Sequence, residues 1–209
     1  MLFTFEGVEG AGKTTQIRIL AERLRGLGLD VVVTREPGDG PLGPQLRAMV
    51  LQPPENVVVD STTELLIMMA DRSQHVANVI TPALLRGAIV LCDRYADSSA
   101  AYQGYGRGID LSTIDALNHM ATQGVTPIRT FLLDLDPSEG LARQSDRNRM
   151  EMLALDFHNR VRSGFLRLAA LFPERFVIVP AELPVDDIHN RIWATLIAAI
   201  SAASVPAQS

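Results

Sequence analysis

Apolar residues in this chain follow two rhythms. Short, nearly continuous runs at Leu2 to Phe5, Val31 to Thr34, Ala88 to Cys92, Thr130 to Leu135 and Phe176 to Val179 read as strands covered on both faces. Between them apolar positions recur at helical spacing. The helical stretches are Thr14 to Leu27, Gly43 to Leu51, Thr62 to Arg86, Leu111 to Gln123, Pro137 to Arg143, about Arg149 to Leu171, and Val185 to Ala199. In the first, Ile17, Leu20, Ala21, Leu24 and Leu27 form one stripe; in the sixth, Leu153, Phe157, Val161, Phe165, Leu168 and Leu171 do the same. Strands alternating with helices predict a parallel sheet wrapped by helices, an α/β fold. Gly28 reads as a helix stop, Ser61 as an N-cap with Glu64 three residues later, Pro137 as a first-turn proline, and Pro53-Pro54 as a break. The run Leu65 to Ala70 is apolar beyond one helical face, which predicts burial on several sides, inside the domain or against a second subunit. One domain over residues 1–200 is expected, with the small, polar stretch 201–209 as a fraying tail.

Charge and composition narrow the function classes. The formal net charge is −5 and no basic stripe is visible, so a nucleic-acid polymer is not an expected partner. No apolar run is long enough for a bilayer, and a strand follows Met1 almost at once, so neither a membrane span nor a signal peptide is expected. The lone Cys92 lies in an apolar run; it excludes a disulfide within the chain and fits a cytoplasmic protein.

The basic residues carry the sharpest signal. Of nineteen Lys plus Arg, Lys13 is the one lysine, and it stands in Gly7-Val8-Glu9-Gly10-Ala11-Gly12-Lys13-Thr14. This is a P-loop, in the strand, loop, helix order the motif requires. Its glycines let successive N–H groups face a phosphate, and the helix that follows adds its positive end. Lys13 offers a compact ammonium for the β and γ phosphates, and Thr14 a hydroxyl for Mg²⁺. The strand Ile89 to Cys92 runs into Asp93-Arg94-Tyr95, and the strand before it into Thr34-Arg35-Glu36-Pro37-Gly38. Carboxyl ends of parallel strands line the ligand crevice, so Asp93 could hold Mg²⁺ through water and Arg94 neutralise a transferring phosphoryl group. The competing reading is a surface ion pair at a strand end.

Phe5-Glu6-Gly7 through Gln16, Thr34-Arg35-Glu36-Pro37-Gly38, Ala70-Asp71-Arg72, Asp93-Arg94-Tyr95 and Ser98-Ser99-Ala100-Ala101-Tyr102-Gln103-Gly104 stand in order along the chain. Together they resemble the signatures of bacterial thymidylate kinases. The resemblance implies phosphoryl transfer from Mg-ATP to dTMP on a five-stranded parallel sheet with helices on both faces. It also implies an arginine-rich lid at about 143–150 and a homodimer, which the over-apolar helix Thr62 to Arg86 would form. It assigns ATP binding to Gly7, Val8, Glu9, Gly10, Ala11, Gly12, Lys13, Thr14 and Thr15, with Arg143 and Arg147 from the lid. It assigns the metal to Thr14 and Asp93. On the acceptor side, Glu9 would approach the sugar and its 3′-hydroxyl, and Arg94, with Arg35 and Arg47, the monophosphate, beside Pro37. Arg72, Ser99 and Gln103 would read the base edge, and Tyr102 would crowd a ribose 2′-hydroxyl.

Two departures from the family pattern stand out. Met68 occupies the place of a phenylalanine that stacks on thymine; a thioether can still lie against an aromatic face. The lid segment Arg143-Gln144-Ser145-Asp146-Arg147-Asn148-Arg149 is short, with Asn148 where an aspartate is usual. Gly10 stands where eukaryotic relatives carry an arginine, so the catalytic cations are expected to be Lys13, Arg94 and a lid arginine, Arg149 first, with Arg143 and Arg147 behind it. Arg47 reads equally as a solvated helix arginine. Other readings of the whole are a kinase for dUMP or another nucleoside monophosphate, and an ATP-dependent switch or structural subunit.

Overall fold

The computed structural model describes residues 1–143 and 149–204. Its elements are β1 (Leu2–Glu6), α1 (Lys13–Gly26), β2 (Val31–Arg35), α2 (Gly43–Leu51), α3 (Ser61–His75), α4 (Thr81–Leu85), β3 (Ile89–Asp93), α5 (Ala96–Ser99), α6 (Leu111–Thr122), β4 (Arg129–Asp134), α7 (Pro137–Ala142), α8 (Leu155–Leu171), β5 (Phe176–Pro180) and α9 (Val185–Ser204). Two π-helical segments, Val76–Ile80 and Ala100–Gly106, continue α3 into α4 and extend α5.

The five strands form one parallel sheet in the order β2-β3-β1-β4-β5. Its three central strands alternate between two apolar layers. Phe3, Phe5, Ile89, Leu91, Phe131 and Leu133 meet Ile17, Leu20 and Leu24 of α1 and Ile188, Ile192 and Leu196 of α9. On the opposite face Leu2, Val90 and Cys92 meet Val76 and Ile80, while Leu132 meets Phe157, Val161 and Phe165 of α8. Both layers exclude water, which is why these strands read as continuous apolar runs rather than alternating ones. Polar groups also survive inside: the hydroxyls of Thr4 and Thr130 lie 2.8 Å apart and share a hydrogen bond across neighbouring strands.

Local signals end the helices with three corrections. Leu27 and Gly28 (φ 80°) terminate α1, and Pro137 opens α7 behind the cap Asp136. The cap of α3, however, is Asp60, whose carboxylate accepts from the backbone N–H of Thr62 and Thr63; Ser61 is already helical. An ionised acceptor one residue earlier outcompetes the serine hydroxyl. Second, the predicted helix from Arg149 begins only at Leu155, because residues 149–153 are drawn into turns by backbone and side-chain contacts of Arg149 to Leu51 and Val50. Third, α9 runs on to Ser204, past the point where the tail was expected to fray. Alanine-rich sequence favours helix even without tertiary partners.

Candidate active site

All the chemistry converges on the carboxyl edge of the sheet. Register places Phe5 and Arg35 on either side of Asp93, so β1, β2 and β3 release their chains toward one crevice. The segment after β1 turns through Gly7, Gly10 and Gly12, all with positive φ, and delivers α1 without a side-chain cap. The first N–H groups of α1 are thereby left facing the loop, which is what an anion requires. Gly10 is also pressed against α7: a Cβ there would collide with the backbone of Gly140, and a Cβ on Gly140 with the carbonyl of Glu9. Nothing in the sequence around Gly140 flagged this backbone-to-backbone seam.

Two cavities open along this edge. The larger, about 640 Å³, is lined by the loop residues Gly10, Gly12, Lys13, Thr14 and Thr15 together with Arg35, Asp93 and Arg143. The smaller, about 120 Å³, is lined by Pro37, Leu51, Met68, Tyr102, Gln103 and Met150 among others. Glu9, Glu36, Arg47, Arg94 and Glu151 line both, so the two spaces adjoin along one wall that carries two guanidiniums among carboxylates.

Lys13 is buried, with its ammonium donating to the carbonyls of Gly7 (3.2 Å) and Val8 (2.9 Å). Burial, with Arg94 nearby, brings its pKa down to about 8. The Thr14 hydroxyl donates to Asp93 Oδ2 at 2.8 Å. A hydroxyl and a carboxylate already in contact form an all-oxygen donor pair that suits Mg²⁺, which takes one or two carboxylates and the rest from phosphates and water. These two residues could therefore hold it. No cluster of three or more His, Cys, Asp or Glu fit for a metal occurs among the described residues.

Arg94 adopts φ 68°, a left-handed conformation unusual for a non-glycine residue. The turn this creates aims its guanidinium at the Gly7 carbonyl (3.0 Å), the Ser98 hydroxyl (3.3 Å) and Glu9 Oε1 (3.2 Å). The Tyr102 hydroxyl donates to the same Glu9 oxygen at 2.6 Å. Burial pushes the Glu9 carboxyl upward, but His158, Arg94 and Lys13 together outweigh it and hold Glu9 well below the usual carboxylate range. Arg47 is not a solvated helix arginine. It is half-buried, donates to the Pro37 carbonyl at 2.6 Å, and has its pKa lowered by burial and by Arg35 and Arg94. Guanidiniums that repel one another gain from an anion between them.

Of the residues expected to read a base edge, two stand away from the cavity surface. Arg72 and Ser99 are fully buried behind the cavity wall: Arg72 donates to Glu36 Oε2 (2.8 Å), the Ser99 hydroxyl (2.9 Å), Asn118 Oδ1 (2.5 Å) and the Tyr95 carbonyl (2.9 Å). The cavity surface itself is made by Glu36, Ser98, Gln103 and Met68. Gln103 donates to Glu64 at 2.9 Å, leaving its carbonyl oxygen without a hydrogen-bond donor among the described residues. Glu64, read from the sequence as half of a capping box, is instead a fully buried carboxylate held by Gln103, Arg107 and Arg149. This draws Arg149 toward the wall of the smaller cavity, where it also donates to the carbonyl of Val50 (2.8 Å). Arg143 takes the other place, donating to the Gly10 carbonyl at 3.2 Å. Arg147 and the centre of the expected lid lie outside the described residues. Two participants were given no role from the sequence: Glu36, present in the Thr34 to Gly38 motif, which also meets His75 Nδ1 at 2.8 Å, and His158, outside every motif, which faces Glu9. Both act across long sequence separations that no local motif encodes.

Comparison with known proteins agrees with this geometry. The family model for thymidylate kinase matches residues 5–192. Thymidylate kinase of Deinococcus radiodurans is 49% identical over 199 residues, covering 94% of this chain and 96% of that protein. Thymidylate kinase of Syntrophotalea carbinolica is 47% identical over 201 residues, covering 92% and 93%. The crystal structure of thymidylate kinase from Ehrlichia chaffeensis superposes with a TM-score of 0.78 at 36% identity, covering 94% of this chain and 98% of that one. A P-loop crevice joined through Arg94 to a small polar-and-apolar pocket, on this sheet order and with these relatives, makes the chain a member of the thymidylate kinase family.

Proposed function

We propose that the chain transfers the γ-phosphoryl group of ATP to dTMP, giving dTDP and ADP, with the larger cavity taking the donor phosphates and the smaller the acceptor's base and sugar. The observation that carries this division is the wall the two spaces share, where Arg94 and Arg47 stand with Glu9, Glu36 and Glu151. Any group passing from one nucleotide to the other crosses that point. The acceptor phosphate is anionic at neutral pH and needs no strong base, so catalysis is positioning and charge neutralisation. Lys13 exchanges its loop carbonyls for phosphate oxygens, Arg94 and Arg47 hold the monophosphate, and Arg143 closes on the donor from α7. Thr14 and Asp93 would hold Mg²⁺, which supplies positive charge to the phosphate oxygens. Glu9 meets the sugar, and Gln103, with Arg72 and Ser99 behind the wall, selects the base. A buried amide that goes unmatched is costly, so such a wall rejects the wrong pyrimidine edge.

A homodimer through α3 belongs to the same proposal. Leu66 on α3 is 53% exposed, and the helices packed along it, α2 and α6, leave Met49 and Met120 exposed as well. Cytoplasmic residence is supported by the free, buried Cys92. Among the described residues no helix is long and apolar enough to cross a membrane.

Coupled ADP release with a panel of monophosphates tests the assignment. dTMP is expected to be turned over fastest, with UMP at least tenfold slower in kcat/KM: its base edge matches that of thymine, but it lacks the C5 methyl and adds a 2′-hydroxyl that Tyr102 would crowd. Equal rates for dTMP and UMP would overturn it.

A further inference from the structure

His158, in the first turns of α8, is fully buried, and neither ring nitrogen has a hydrogen-bond partner among the described residues. Its ring stands edge-on to Phe157, with centroids 5.4 Å apart. An unpaired buried imidazole is destabilising, and a fold that keeps one calls for an explanation. The explanation faces it. Nδ1 lies 3.5 Å from Glu9 Oε2, a few tenths of an ångström beyond hydrogen-bonding range. That oxygen is itself buried and without a donor, whereas Oε1 already accepts from Tyr102 and Arg94.

A carboxylate gripped at one oxygen can still swing, because the terminal torsion of glutamate is broad. On the proposed function Arg94 is also called on by the acceptor phosphate, and any turn of its guanidinium toward that phosphate leaves Glu9 the Tyr102 hydroxyl alone. We propose that His158 is a positioning residue for Glu9: it donates from Nδ1 to Oε2 and fixes the carboxylate plane against the 3′-hydroxyl of the acceptor sugar. This rests on the reading that Glu9 meets that hydroxyl. It adds the group, 149 positions away in sequence and on a different element, that holds Glu9 in place.

The test compares kcat/KM for dTMP and for 3′-deoxy-dTMP in the wild type, His158→Leu, His158→Asn, Glu9→Ala and the double variant His158→Leu/Glu9→Ala. His158→Leu is expected to lower the preference for dTMP about tenfold, the worth of one charge-assisted hydrogen bond, through KM for dTMP with KM for ATP unchanged. His158→Asn, whose amide N–H reaches the place of Nδ1, restores most of the preference, and the double variant behaves like Glu9→Ala alone. A His158→Leu enzyme that loses rate equally on both substrates, or single-variant effects that add in the double variant, would overturn the proposal. If His158→Leu does not fold, His158→Gln replaces it. Gln places its N–H near the site of Nε2, so Asn should keep the preference and Gln lose it; equal preferences overturn the proposal. Glu9→Ala separates the two readings. Loss of preference there but not in His158→Leu removes the proposal alone, whereas a Glu9→Ala enzyme with wild-type preference removes the role of Glu9 and the proposal with it.

Discussion

Asp71 shows how much of a residue's behaviour comes from its surroundings. It is buried beside Glu36, with one carboxylate oxygen accepting from the Gly38 N–H at 3.2 Å and the other without a donor among the described residues. Burial first, and then the charge of Glu36, push its pKa up from 3.8 to about 7. Between about pH 4 and 7 the folded protein therefore keeps a proton that the unfolded chain has released, and stability falls as pH rises through that window. Above it both states are ionised and the full cost is present. Replacing Asp71 with Asn removes the titration, so the melting temperature of the variant minus that of the wild type is expected to climb from pH 4 to pH 7 and then level off. Each kcal/mol moves the midpoint by about 2–4 °C in a chain of this size. A difference flat in pH refutes the raised pKa. The motif Ala70-Asp71-Arg72 was visible in the sequence, but not this environment, because Glu36 and Gly38 arrive from a different strand end. The placement of Lys13, Thr14, Asp93 and Arg94 at one crevice was legible for the opposite reason: each belongs to a local run whose backbone geometry sets it at the carboxyl edge of the sheet.

Among the elements, the three central strands were legible because each must satisfy two dry layers, and the edge strands β2 and β5, which leave Val33 and Ile178 exposed, by apolar runs of the same kind. Helix boundaries were legible where one residue decides them, as Gly28 and Pro137 do. They were not where tertiary contacts compete. Arg149 is the instructive case: periodicity extended α8 back to it, and its neighbours suggested a lid, yet a buried carboxylate on α3 captures it. The two roles separate in mutants. Arg149→Ala is expected to leave Glu64 undercompensated and lower the melting temperature by several degrees, with KM for ATP unchanged. Arg143→Ala is expected to leave the melting temperature within about a degree. Its kcat is expected to fall about 100-fold, the order seen when one charge-stabilising donor is removed. Thermal melts and ATP titrations on both variants check this; the reverse pattern would return the phosphoryl-contacting role to Arg149.

At the level of the whole molecule, one helix has two audiences. The inner side of α3 supplies Glu64, Met68 and Arg72 to the smaller cavity, the proposed base pocket, and its wall, while Leu66 faces outward. In the proposed dimer the same rigid rod would thus be gripped from both sides, by a nucleotide within the protomer and by a second protomer without. Thermodynamic linkage then makes the two events reciprocal: whatever factor assembly adds to dTMP affinity, dTMP adds to assembly. Leu66→Glu is expected to sediment as a monomer where the wild type is a dimer, with KM for dTMP raised several-fold and KM for ATP unmoved, since the P-loop is mounted on α1 instead. A variant of unchanged mass, or a monomer with unchanged KM for dTMP, breaks that link. If it holds, the concentration of enzyme in a cell becomes a variable in how well each copy sees thymidylate, so dilution alone would lower its affinity for the acceptor and leave the donor untouched.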